Sequence, residues 1–241
     1  MVLFQQPLTS FSNPSINRVN WTPNDLTNKF AWYDFSDLST ITKDGSNRVS
    51  EVTNKFGGTS ITQAIGAEQP LWVEADQNGL DVIDFQAGDH LDNETDGAGA
   101  TPNTISGVLL FPADNGVRQM AWNGLGLNNR FFFENQGPGT GSILAWFGGS
   151  SLTLTDSSYD DTWIAFNFIY HSTASFSING SEVKTGNSGT QSWTGIRLGI
   201  DFNEVIDWES KIGEIIIQNG ASTAQEKIDI YNYLSAKWGT P

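Results

Sequence analysis

Three carboxylates crowd Glu204-Val205-Ile206-Asp207-Trp208-Glu209, and paired carboxylates are the equipment of glycoside hydrolysis. The spacing works against that chemistry. Alternate residues of a strand share a face, so Asp207 and Glu209 would face one way and Glu204 the other. A bulge could realign them, but nothing in the sequence asks for one, and the segment suits a surface turn before the last strand. His90 and His171 are the only histidines. They show no zinc-binding spacing, and no Ser stands in a nucleophile elbow. His90 reads as a strand-end residue and His171 as a loop hydrogen-bonder. Gly137-Pro138-Gly139-Thr140-Gly141 lacks the Gly-Lys-Ser/Thr of a phosphate loop. The chain therefore reads as non-enzymatic.

Two other groupings suit binding. Asp89, Asp92, Glu94 and Asp96 crowd one stretch. Asp92-x-Glu94-x-Asp96-Gly97 matches the first half of a calcium loop, with hard oxygen ligands at alternate positions. The residue that should be a bidentate Glu is Asn103. The stretch is thus no EF-hand, and reads either as a Ca2+ site or as a solvated acidic loop. Sugars need aromatic platforms and short polar side chains. Trp146, Trp193 and Trp208 lie in polar or glycine-rich surroundings and are the candidate platforms, with Asn128 and Arg130 as hydrogen-bonding neighbours. Phe131-Phe132-Phe133 predicts a strand that is apolar on both faces, whether through central burial or an oligomer contact.

The elements that would hold these residues are short. The chain has 241 residues, enough for one large β domain and short for two. No apolar run is long enough to span a membrane, and Met1–Pro7 does not read as a secretory signal. There are no cysteines, and the formal net charge is −15, which opposes binding to nucleic acid or anionic lipid. Pro7, Pro14 and Pro23 break up residues 1–28, which read as an extended arm ahead of a body at 29–241. Strands are expected at 30–35, 48–55 and 79–85. More are expected near 104–112, 117–123, 129–134, 142–147, 151–154, 162–170, 174–179, 182–185, 195–201 and 212–218. Asn-Gly pairs, above all Asn179-Gly180, mark tight hairpins. Thr162–Tyr170 is nearly all apolar and should be a central strand covered on both faces. Thr223 with Glu226 fits a capping box, Gly239 a helix stop. Ile228, Tyr231, Leu234 and Trp238 form the apolar stripe of one C-terminal helix.

Both ends of this body carry a resemblance. Trp32-x-Asp34-x-Ser36-Asp37 at the start, Asn78-Gly79 running on to Phe85-x-x-Gly88-Asp89-x-Leu91, and Ile212-Gly213-Glu214-Ile215-Ile216-Ile217 followed by Lys237-Trp238-Gly239 resemble laminin-G-like, concanavalin A-like jelly rolls. The resemblance spans roughly 30–239. It implies an all-β antiparallel sandwich with one C-terminal helix, and a surface-recognition role. Laminarinase-type glucanases share that fold, but their E-x-D-x-E strand is not matched. Bacteriophage virion proteins of this type are acidic, cysteine-free and made without export signals. The expectation is therefore a phage fibre, tail or decoration protein. Residues 1–28 would attach it to other virion proteins, and it would assemble as a homo-oligomer, with a trimer as the guess. The alternative is a stand-alone carbohydrate-binding module, with or without calcium.

Overall fold

Alternating apolar residues close this chain into two antiparallel sheets. The computed structural model describes residues 20–95, 97, 102–113, 117–125, 131–135, 142–147, 150–190, 192 and 194–241, with side chains at 131–135, 142–147, 151 and 157 left aside. Among these the strands are β1 Lys29–Asp34, β2 Ile41–Lys43, β3 Val49–Val52, β4 Ile61–Thr62, β5 Leu71–Gln77, β6 Leu80–Asp84, β7 Leu91–Asn93, β8 Asn103–Phe111 and β9 Gln119–Asn123. They continue with β10 Phe131–Asn135, β11 Ser142–Phe147, β12 Ser150–Thr155, β13 Thr162–Tyr170, β14 Ala174–Ile178, β15 Ser181–Gly186, β16 Ile196–Leu198 and β17 Lys211–Gln218. A single α-helix, α1 Ala224–Trp238, follows.

The first sheet runs β15-β14-β13-β8-β17-β6-β5, and β1 joins β17 beyond the end of β6. The second runs β12-β11-β10-β9-β16-β7-β4-β3-β2. Between them lies one core, in which Trp122 stacks on Phe166 at 5.0 Å and Phe168 meets Tyr170 and Phe176 edge-on. This is the all-β jelly-roll sandwich expected from the sequence. As expected, β13 is covered on both sides. Ile164, Phe166 and Phe168 face the core, and Ala165 lies in the cluster under α1. Asn78-Gly79 and Asn179-Gly180 both have positive φ at each residue, the geometry of a type I′ hairpin.

The helix is capped as its sequence predicts. Thr223 and Glu226 form a reciprocal capping box, and Gly239 ends the helix in the left-handed region. One residue of the expected stripe is misplaced. Ile228 is 46% exposed, whereas Ile230 is 1% exposed and packs with Leu234 and Trp238. The i, i+4, i+8 row of 230, 234 and 238 sets the seat of the helix. Ile228 lies about 200° from Ile230 around the axis.

The boundary of the body also moves. Trp21 packs edge-on against Tyr233, Pro23 and Leu26 are buried, and Thr27 donates to Glu226 from both its backbone and its hydroxyl. Residues 21–28 are thus part of the sandwich. The rest of the expected arm, residues 1–19, lies outside the described residues.

The two signature ends meet under α1. Glu214 has no exposed surface. Its Oε1 accepts from the Trp32 indole at 2.6 Å and the Tyr233 hydroxyl at 2.9 Å. Its Oε2 accepts from Lys237 and from the Trp238 indole, both at 2.8 Å. Lys237 also reaches Asp34, which is shared with Lys55, and Lys55 in turn pairs with Asp37. The Trp238 ring lies flush on Gly213, where a Cβ would come within 2.8 Å of it. Gly213, Glu214, Lys237 and Trp238 are therefore one fastening that holds the helix to β17.

Candidate functional site

Two carboxylates with diverging pKa values are the mark of an acid–base pair, and Glu214 with Asp34 satisfies that test superficially. Burial pushes the Glu214 carboxyl up against the pull of Lys237. Burial also opposes ionisation of Asp34, but Lys237, Ser36 and Lys55 outweigh it and hold that carboxyl below its usual value. Burial and then the neighbouring carboxylates push the Tyr233 phenol up. Both oxygens of Glu214 accept two hydrogen bonds and neither meets solvent. Glu214 and Asp34 are both buried, and their bonds tie α1 to β17 and β1.

The outer face of the second sheet carries a polar row that meets solvent at its Glu51–Thr62–Asp92 end. Cross-strand register sets Glu51 beside Thr62, Thr62 beside Asp92, Asp92 beside Arg197 and Arg197 beside Asn123. Residues directly opposite across strands share a face, so these five form one polar row. Arg197 donates to Asp92 from Nε at 3.0 Å and Nη2 at 2.7 Å, and to Glu204 from Nη1 at 2.9 Å. Asn123 is fully buried, and neither atom of its amide has a partner among the described residues. In register the row continues through backbone positions 132, 146 and 151.

Beside the row lies an open cleft of about 420 Å³ lined by Thr59, Ser60, Thr62, Asp92, Asn93, Glu94 and Thr95. Asn93 holds its rim by accepting from the Thr95 backbone at 3.0 Å and hydroxyl at 3.2 Å. Every lining side chain is a hydroxyl, an amide or a carboxylate. Below it, buried His90 contacts Gln63 at 2.6 Å and lies 4.0 Å from Asp92.

The expected acidic cluster is split. Asp92 and Glu94 line the cleft, but Asp89 is buried, accepts from the Gln86 backbone and pairs with Arg48. Desolvation raises the Asp89 carboxyl despite Arg48. Arg48 supplies the counter-charge of Asp89 and Arg197 that of Asp92. Among the described residues no three His, Asp or Glu side chains gather as a metal would need. Asp96 lies outside them, as do Asn128, Arg130 and Trp193. Trp146 sits in β11, paired with Phe132 and Ser151, and its side chain is likewise outside the description.

Trp208 corrects an expectation. It is 0% exposed and meets Phe111 edge-on in the core, so it is no sugar platform. Its neighbours do form a turn. Asp201 caps the backbone of Val205 and Ile206, Glu204 pairs with Arg197, and Asp207 accepts from the Gly88 backbone. Thr59, Ser60, Thr62, Arg197 and Asn123 were missed from the sequence. The one legible signal was Ile196-Arg197-Leu198, where alternation in a strand turns the arginine outward.

No family model matches this chain, and no curated protein matches it in sequence. Solved structures do match in fold. The receptor-binding domain of botulinum neurotoxin D matches with a TM-score of 0.59 at 14% identity, over 91% of this chain and 57% of that one. A serotype D ligand-binding domain in complex with N-acetylneuraminic acid gives 0.56 at 15%, over 85% and 56%. The heptameric SAP-like pentraxin from Limulus polyphemus gives 0.50 at 12%, over 70% and 87%. This chain spans little more than half the length of the neurotoxin domains. At such identities the likeness establishes the jelly-roll fold.

Proposed function

We propose that this protein is a non-enzymatic recognition module that binds neutral carbohydrate in the cleft of Thr59, Ser60, Thr62, Asp92, Asn93, Glu94 and Thr95. One observation carries the reading: the cleft is lined throughout by short hydrogen-bonding side chains beside a polar row fixed by Arg197. A pyranose rim supplies the matching hydroxyls. The net charge of −15 favours neutral over acidic sugars. A neighbour that contains this fold was crystallised with N-acetylneuraminic acid; that sugar is acidic, so the neighbour supports sugar binding in general and not the neutral class.

A glycan-array screen of the full chain tests it, run once with calcium and once with EDTA. Specific binding is expected, and Thr62→Val combined with Glu94→Ala should weaken it about tenfold, since each removes a polar contact. A blank array on folded protein overturns the reading. Calcium is a further part of the proposal, with Asp92, Glu94 and Asp96 as its ligands and Asp92 exchanging Arg197 for the cation. Unchanged binding in EDTA would remove calcium alone.

The narrower reading places this module on a phage particle as a homo-oligomeric surface protein. Its support is compositional: an acidic, cysteine-free chain rich in Gly, Asn, Ser and Thr. Because residues 21–28 pack against α1, attachment falls to residues 1–19. Deleting them is expected to abolish incorporation into particles. A deleted chain that still co-purifies with particles overturns this placement in favour of the stand-alone lectin.

A further inference from the structure

A second cavity lies on the other sheet, between α1 and the outer face of β13 and β14. It holds about 460 Å³, within the usual range of small-molecule sites. Ile169 lines its sheet side, and Leu234, Ile228 and Tyr231 its helix side. These last two are the flank of the apolar stripe that the seat of the helix leaves over. The Tyr231 ring is held in place at both ends. It packs on Gly180, where a Cβ would come within 2.8 Å, and its hydroxyl donates to the Pro241 carbonyl at 2.8 Å.

Two polar features decide what fits. Lys227 donates to Ser175 at 2.7 Å and lies 3.7 Å from Glu182, while Ser175 donates to Glu182 at 2.7 Å. The two charges at this end of the groove satisfy each other, so the groove offers no ionic anchor. Asn167 is the opposite case. It is 6% exposed and lines the cavity, and its Nδ2 donates to Ser106 at 2.8 Å. Its Oδ1 is buried with no partner among the described residues. Buried polar atoms are hydrogen-bonded as a rule, so this acceptor awaits a donor.

We propose that the groove between α1 and the β13–β14 face binds a small neutral amphiphile. Its aliphatic or ring body would rest on Ile169, Ile228, Tyr231 and Leu234, and one hydroxyl or amide N–H would donate to Asn167 Oδ1. The groove belongs to the first sheet and the carbohydrate cleft to the second, so a blank glycan array leaves this inference standing.

The test is a matched pair of probes, cyclohexanol and cyclohexanone, alike in size but differing in the donor. Both are titrated into the full chain and followed by amide shifts at Ser175, Ser177 and Lys227. Cyclohexanol should bind about fivefold tighter, the worth of one neutral hydrogen bond. Asn167→Leu should erase that preference. Ile228→Ala, at an exposed position that folding tolerates, should weaken both probes alike. Absence of shifts with either probe, or ketone binding as tight as alcohol in the wild-type chain, overturns the proposal.

Discussion

Glu214→Ala should lower the melting temperature by about 10 °C. The carboxylate is fully buried and accepts from two indoles, one phenol and one ammonium. Removing it strands two indoles and a phenol and leaves the Lys237 ammonium with Asp34 as its remaining carboxylate. Breaking a buried charged pair from one side costs roughly 3–5 kcal/mol, and a domain of this size loses about 2–4 °C per kcal/mol. Glu214→Gln should cost less, because an amide keeps one acceptor. Its pH profile carries a sign. The folded pKa of Glu214 is raised, so the folded state favours the protonated form. That contribution is complete below the unfolded value and lost as pH rises through the folded one. The wild type should therefore gain on Glu214→Gln as pH falls through the raised folded value toward the usual carboxylate value of 4.5. Calorimetry across that window checks both points, and a Glu214→Ala melting temperature within experimental error of wild type would refute the fastening.

What could be read from the sequence depended on run length. Nine apolar-rich residues of β13, the long strand β17 and the capped helix all announce themselves by period. Strands β2, β4 and β7 are two or three residues long, too short for a period of two to show. β5 hides for a different reason. Its pairing with β6 is interrupted between Val73 and Gln77, and Ala75 takes a positive φ, so Leu71-Trp72-Val73-Glu74-Ala75-Asp76-Gln77 loses alternation midway. Trp208 misled because acids surround it. The chain turns back at Asp201–Ile206, Ile200 bridges to Asp207, and the Trp208 backbone donates to Gly199 at 2.7 Å. By Trp208 the chain has therefore re-entered the sandwich, and the indole faces Phe111.

The sites were less legible than the fold for a related reason. The cleft joins residues 59–62 to residues 92–95 through pairing of β4 with β7, and neither segment has a pattern that calls for the other. The acidic stretch looked like a cation site because its counter-charges come from afar. Arg48 lies 41 residues before Asp89, and Arg197 lies 105 after Asp92. Glu214 was visible as one charge in an apolar run. Its role was not, since its donors come from β1 and from the far end of α1.

Trp238→Ala should separate the two proposed sites. Trp238 is fully buried, lies flat on Gly213, donates its indole N–H to Glu214 and accepts from Gln77 through its carbonyl at 2.7 Å. Truncating such a side chain costs roughly 3–5 kcal/mol, again about 10 °C in melting temperature. Combined with Glu214→Ala, the loss should fall short of the sum, because the two residues share a hydrogen bond. The larger consequence is local. Without Trp238 the C-terminal end of α1 loses its anchor, and the wall of Tyr231 and Leu234 no longer holds its distance from β13. At a temperature where the variant stays folded, the preference for cyclohexanol over cyclohexanone should disappear. Glycan binding should persist, because the cleft of Thr59–Thr62 and Asp92–Thr95 lies along β4 and β7 of the other sheet. Loss of glycan binding in folded Trp238→Ala would place carbohydrate recognition at the helix groove and remove it from the cleft.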